Sequence, residues 1–168
     1  MTRPATALCV VLVAGQSKAA QQHTCSPSDT TRARSELAAI YATFREGFMR
    51  NAPQVWIDAL TPTFSLTLFS GQVMPRTWVE DYVRTNASQF RIHTLAMTVQ
   101  SLARRADTVI ATVEQTSDRE STDGQGIRHR LEVGALQLET WVCTSAGWRL
   151  QGVKEDSLLY LRRDGRKS

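Results

Sequence analysis

The hydrophobic period of this chain changes once, at Phe90, and that change limits the folds open to it. Between Asp29 and Arg50 the large apolar residues fall at Leu37, Ile40, Tyr41, Phe44 and Phe48. Spacings of three and four put them on one face of a helix, with Arg32, Arg34, Glu36, Arg45 and Glu46 mostly elsewhere. Pro53 suits the first turn of a shorter second helix carrying Trp56, Ile57 and Leu60, and Pro62 ends it. Phe64 to Leu68 alternates as a strand, and Ser70-Gly71 turns the chain into Gln72-Val73-Met74. A third helix opens on Thr77-x-x-Glu80, a capping-box spacing, and turns Trp78, Val79, Tyr82 and Val83 inward.

Beyond Phe90 the period is two. His93, Leu95, Met97 and Val99 share one strand face, and Thr94, Ala96 and Thr98 the other. Val109 to Val113 is the next strand, and the loop from Thr116 to Gly126 carries Asp123-Gly124, a hairpin signal. A long strand follows from Ile127 to Cys143. Its apolar residues are odd-numbered before Gly134 (Ile127, Leu131, Val133) and include the even Leu136, Leu138 and Val142 after it. One extra residue restores the inward face, which predicts a β-bulge near Gly134-Ala135. The turn from Thr144 to Gly147 leads into Trp148 to Val153. Helices first and strands afterwards, with no repeat or linker between them, make one α+β domain.

The eleven residues from Ala5 to Gly15 are an apolar run behind Arg3 and ahead of Ser17-Lys18-Ala19-Ala20. A basic start, a short greasy core and small residues after it have the form of a secretory signal peptide cleaved near Ala19/Ala20. The run is well short of the about 20 apolar residues that span a bilayer, and Gln16 stands where a lipidated cysteine would follow Leu12-Val13-Ala14-Gly15. The chain therefore reads as secreted or periplasmic, without stable membrane insertion. The expected divisions are a signal peptide at 1–20, an arm at 21–28, the folded domain at 29–161 and a basic tail at 162–168.

The cysteines agree with export. Cys9 lies in the leader, which leaves Cys25 and Cys143 as an even pair. In an oxidising compartment they form a disulfide from the arm to a late strand, worth roughly 4–5 kcal/mol by loop entropy alone. Two separate free thiols are the alternative. Formal net charge is +4, but residues 21–161 hold 14 basic and 15 acidic side chains, a net of −1. No basic face for nucleic acid is evident on that body. His23, His93 and His129 are far apart and form no metal-binding spacing with the cysteines.

The order helix, helix, short hairpin, helix and then long antiparallel strands resembles the nuclear-transport-factor-2-like superfamily. The residues nearest its pattern are Trp56-Ile57-Asp58-Ala59-Leu60, Glu139-Thr140-Trp141-Val142 and Gly147-Trp148-Arg149-Leu150, and the match runs from about residue 30 to 160. What the resemblance implies is a cone: a curved, mixed or antiparallel sheet wrapped around the long first helix and enclosing a pocket. The superfamily includes ketosteroid isomerases, dehydratases, polyketide cyclases and epoxide hydrolases, and also non-catalytic binding or dimerising domains. Its isomerases carry carboxylates at the end of the second helix and on the first strand, with a tyrosine donor on the first helix. Here Leu60-Thr61-Pro62-Thr63 occupies that region, and Phe64 to Phe69 contains no Asp or Glu.

That departure favours an exported module that binds a small apolar or amphipathic molecule without catalysis and without a cofactor. Tyr41, Trp56, Tyr82 and Trp141 are the aromatics able to stack on such a ligand, though their plainer role is core packing. The rival reading is an isomerase, dehydratase or cyclase working by proton transfer, with Asp58 and His93 as its acid–base pair. It requires both side chains in one pocket. Asp58 on a solvated helix face and His93 as a lining residue are the plainer alternatives. His129 reads as structural, flanked by Arg128 and Arg130. A third reading is a dimerising accessory domain, pairing through an outer sheet face that bears Thr94, Thr98, Glu139 and Arg149.

Overall fold

The computed structural model describes residues 25–167. The expected leader at 1–20 and the start of the arm lie outside them. Helix α1, Thr30–Met49, is capped by Asp29, whose side chain accepts the Arg32 amide at 2.9 Å. Its apolar stripe buries Ala33, Leu37, Tyr41 and Phe44. Gly47 lets the next helix approach, since a Cβ there would lie 2.1 Å from Val55 Cγ1. That helix, α2, spans only Gln54–Ile57, with Pro53 at its N-cap. Pro62 does not end it. The proline sits inside strand β1, Leu60–Thr67, where the register with its neighbour breaks between Leu60 and Ser65, so the missing N–H falls in a gap of the ladder.

A turn with Gly71 at φ 84° leads into β2, Val73–Pro75. Helix α3, Arg76–Gln89, follows without the expected capping box: Pro75 is the N-cap, no side chain caps the end, and Glu80 pairs with Arg76 at 2.5 Å. The remaining strands are β3 (Phe90–Arg105), β4 (Thr108–Thr122), β5 (Arg128–Thr144), β6 (Gly147–Arg163) and β7 (Arg166–Lys167). They form one seven-stranded sheet in the order β2-β1-β6-β5-β4-β3, with β7 on β6. Among the described residues only the β1–β6 pair is parallel. Within the basic tail expected at 162–168 the chain turns at Asp164-Gly165, both at positive φ, and Arg166-Lys167 pairs back on β6.

Bulges curl this sheet around α1. Between β5 and β6 the register shifts at Gly134/Ala135, Leu136/Gln137 and Thr140/Trp141. A bulge is thus present at Gly134-Ala135, but the extra residues (Leu159, Asp156 and Gln151) stand on β6. Strand β5 stays in unbroken register with β4, so its inward face is odd-numbered throughout. Ala135, Glu139 and Trp141 are buried there, and the even Leu136, Leu138 and Val142 are only partly covered. Glu139, expected on the outer face, belongs to the inner one.

A bulge between β3 and β4 corrects His93. Ile92 pairs with Arg119 and Thr94 with Asp118, leaving His93 as the extra residue. Ile92 takes the inward position before Leu95, and His93 turns outward toward Glu120. Another, at Gln100, is held by Arg34 of α1, whose guanidinium donates to the carbonyls of Val99 and Gln100.

The dry core lies between α1 and the near ends of the long strands. Leu37, Phe44, Val109, Val113, Trp141 and Leu150 are among its fully buried side chains, with Phe44 and Trp141 stacked at 6.2 Å. The Cys25–Cys143 disulfide ties the arm to β5. Trp148 donates to Glu36 of α1 at 2.7 Å.

Candidate functional site

Beside Phe48, in the last turn of α1, the curled sheet and α3 enclose a cavity of about 310 Å³. Phe48, Trp56 and Leu66 wall one side, Val79, Tyr82 and Val83 of α3 another, and Leu95, Met97, Val133 and Ala135 the sheet. Polar side chains enter from the inward rows of three strands, Gln115, Ser117 and Arg119 of β4, Gln137 and Glu139 of β5, and Glu155 of β6, and from α3 through Asn86. Small-molecule sites commonly have this make-up, mostly apolar with a few placed polar groups.

Glu139 is the most perturbed of these. Its side chain is 1% exposed and accepts two hydrogen bonds, from Tyr41 Oη at 2.7 Å and from Trp141 Nε1 at 2.9 Å. Both land on Oε2. Burial raises the carboxyl to about 7 despite the lowering effect of the two donors. Tyr41 is pushed up by its own burial and then by the Glu139 charge, so its phenol keeps its proton and remains a donor. The local fold explains the arrangement. Glu139 and Trp141 are two apart on a strand and share a face, and α1 lays Tyr41 against that face at 5.9 Å from the indole.

Asp58 is exposed at the end of α2, where Gln54 Nε2 donates to it at 2.6 Å. His93 is on the outside of the sheet, 3.9 Å from Glu120. Neither lines the cavity, so the acid–base pair expected from sequence is not assembled. Of the four aromatics, Trp56 and Tyr82 line the cavity, Tyr82 half-exposed at its mouth and stacked on Trp78 at 5.0 Å. Tyr41 and Trp141 meet at Glu139 instead. His129 is held between Asp164, at 2.9 Å, and Asp123, at 3.0 Å. Among the described residues no group of three or more His, Cys, Asp or Glu is placed to hold a metal ion, and no helix is long and apolar enough to cross a membrane.

No protein-family model matches the sequence, nor does any curated protein. Solved structures do match in shape. The Kfla4162 protein of Kribbella flavida is similar at TM-score 0.65 and 17% identity, over 80% of this chain and 95% of that one. An NTF2-like protein of Cytophaga hutchinsonii is similar at TM-score 0.58 and 10% identity, over 74% and 97%. The fold is nuclear-transport-factor-2-like. A hexachlorocyclohexane dehydrochlorinase, LinA type 2, shares the nuclear-transport-factor-2-like fold at TM-score 0.58 and 12% identity, over 81% of this chain and 93% of that one.

Two site residues escape a reading of the sequence. Glu139 had a signal, since it stands two positions before a tryptophan destined for the core. Arg119 had none, because residues 116–122 carry no apolar alternation to mark them as strand.

Proposed function

We propose that the cavity binds a small apolar or amphipathic molecule and that Glu139 moves a proton on it. One observation carries the reading: a carboxyl lifted to about 7 lines an apolar cavity with both hydrogen bonds confined to one oxygen. A base is most effective when its pKa lies near the working pH. Tyr41 and Trp141 fix the carboxylate plane and leave Oε1 to a molecule in the cavity. The apolar walls exclude water and keep the charged form costly, which favours transfer of a proton to it. Elimination of hydrogen chloride, the activity named for one protein of this fold, also takes a proton from carbon. The Cys25–Cys143 bridge supports an oxidising compartment, and export through the leader at 1–20 is part of the reading.

A second reading has an observation of its own. Tyr41 and Trp141 tie Glu139 between α1 and β5, as a purely structural acid behind a binding cavity would be tied.

The probe that separates them is 5-nitrobenzisoxazole, a small apolar carbon acid. A base removes its ring C–H proton, the N–O bond breaks, and the electron pair ends on a coloured cyanonitrophenolate. The wild-type protein is expected to open it about 100-fold or more faster than Glu139→Gln, with the rate rising through a pH of about 7 as Glu139 ionises. The glutamine keeps one oxygen for both donors, so the variant retains the local hydrogen bonds. Equal rates in the two proteins would leave the structural-acid reading standing and remove the catalytic one.

A further inference from the structure

Arg119 is the cavity residue that neither the core nor the acid–base reading uses. It lies inward on β4, opposite Ile92 of β3, and lines the cavity. Its guanidinium carbon lies over the Phe90 ring, 4.7 Å from the ring centroid, which holds the group against that face. Its Nε is buried and has no hydrogen-bond partner among the described residues. Buried donors are nearly always paired, and an arginine cannot shed its charge to escape the cost.

The acids around it are committed elsewhere. Asp118 and Glu120 flank it in sequence but face the other side of the strand. There Asp118 binds Arg130 at 2.6 Å, and Glu120 faces Arg128 at 3.6 Å and His93 at 3.9 Å. Glu155, which also lines the cavity, accepts the Phe69 amide at 2.9 Å. Glu139 pairs across the ladder with Ala111 and Arg119 with Leu131, so base and arginine mark opposite ends of the inner face. Between them the inner rows of β4 and β5 present Gln115, Ser117 and Gln137 among apolar walls.

We infer that the ligand of this cavity is an elongated amphipathic carboxylate, its anionic head on Arg119 and its apolar body running along the sheet toward Glu139. A planar fork with an unused Nε–H is the side chain that grips a carboxylate through two parallel bonds. The inference rests on the proposed cavity function and names the class of molecule for it.

The test uses decanoate and decan-1-ol, which share a chain and differ in the head group, titrated calorimetrically at neutral pH. The wild type is expected to bind decanoate about tenfold or more tightly than the alcohol, the gain of a charge-assisted pair. Arg119→Gln should abolish the preference for decanoate over the alcohol. Arg119→Lys, charged but without the fork, should keep part of the preference. Equal binding of the two by the wild type overturns the inference while leaving an apolar cavity in place. A decanoate preference that survives in a folded Arg119→Gln overturns it as well. Failure of both probes to bind removes the cavity reading and this inference together. Should Arg119→Gln not fold, as judged by circular dichroism, the wild-type pair of titrations decides alone.

Discussion

Under α1, the inward face of β4 presents Val109, Ala111 and Val113, all fully buried. A few residues along, the same face of the same strand presents Gln115, Ser117 and Arg119 to a cavity. The strand geometry is unchanged between the two regions, and so is the unbroken register with β5. What differs is the cover. Helix α1 seals the first region and ends at Met49, while the second is roofed at a distance by α3 and Trp56. Inward on this sheet therefore means dry core in one place and ligand space in the other. Glu139 sits on the border, with Tyr41 and Trp141 behind it on the sealed side and the cavity in front.

The largest expected effect comes from breaking the sealed side. Trp141→Ala removes a fully buried indole that stacks on Phe44 and donates to Glu139. A loss of about 3–5 kcal/mol is expected in urea unfolding, the range for a large aromatic cut to alanine in a core. A loss under about 1 kcal/mol would mean that the two regions are equally loose.

Glu139→Gln sharpens the comparison at the border itself. The folded protein holds this carboxyl at about 7 against an ordinary value of 4.5. Folding thus favours the neutral acid. The wild type is most stable, as far as this group is concerned, below about 4.5, loses stability as pH rises toward 7, and carries the full cost above it. That cost is about 3 kcal/mol. The glutamine variant should match the wild type in acid and exceed it at pH above 7, as measured by urea unfolding across the pH range. A variant less stable at every pH would show the carboxylate to be favourably held, and would count against its role as a base.

The sealed region was legible in the sequence, and of the open one the apolar walls were legible but the polar row was not. The helical spacing of Leu37, Tyr41 and Phe44 and the alternation at Leu95, Met97 and Val99 follow from burial on one face, and those residues are buried or packed on the core. His93 fell on the wrong face because a bulge is a property of two paired strands, invisible in the alternation of one. The same cause misplaced Glu139: the shifts opposite Gly134 and Leu136 take their extra residues from β6, leaving the phase of β5 intact. The second half of β4 hid more completely. Its inward row faces ligand space, and its outward row is stitched to β5 by Asp118 and Arg130. A strand polar on both faces reads as a loop, which is why Arg119 carried no signal.

The smallest effect lies beyond the cavity, at the far tip of the sheet, where charge does the joining. His129 on β5 binds Asp164 of the β6–β7 turn and Asp123 of the β4–β5 turn, one carboxylate on each ring nitrogen. Those bonds, from Asp164 first and then Asp123, raise the histidine above its ordinary 6.5. A raised histidine contributes fully below 6.5 and loses its contribution as pH climbs through the higher folded value. The aspartates are held below 3.8, with the bond from His129 the first cause for each, so their share is lost only in strong acid. Both turns should therefore be joined in mildly acidic solution and part in alkaline solution. The reporter is the Ile127 amide, which donates to Asp123 Oδ1 at 2.9 Å. Its hydrogen exchange, corrected for the intrinsic pH dependence, should speed up above neutrality in the wild type. In His129→Asn it should be fast at every pH, while exchange at Ala111 and Val113 in the sealed core stays unchanged. Acceleration of the core amides in the same variant would mean that tip and core open as one unit.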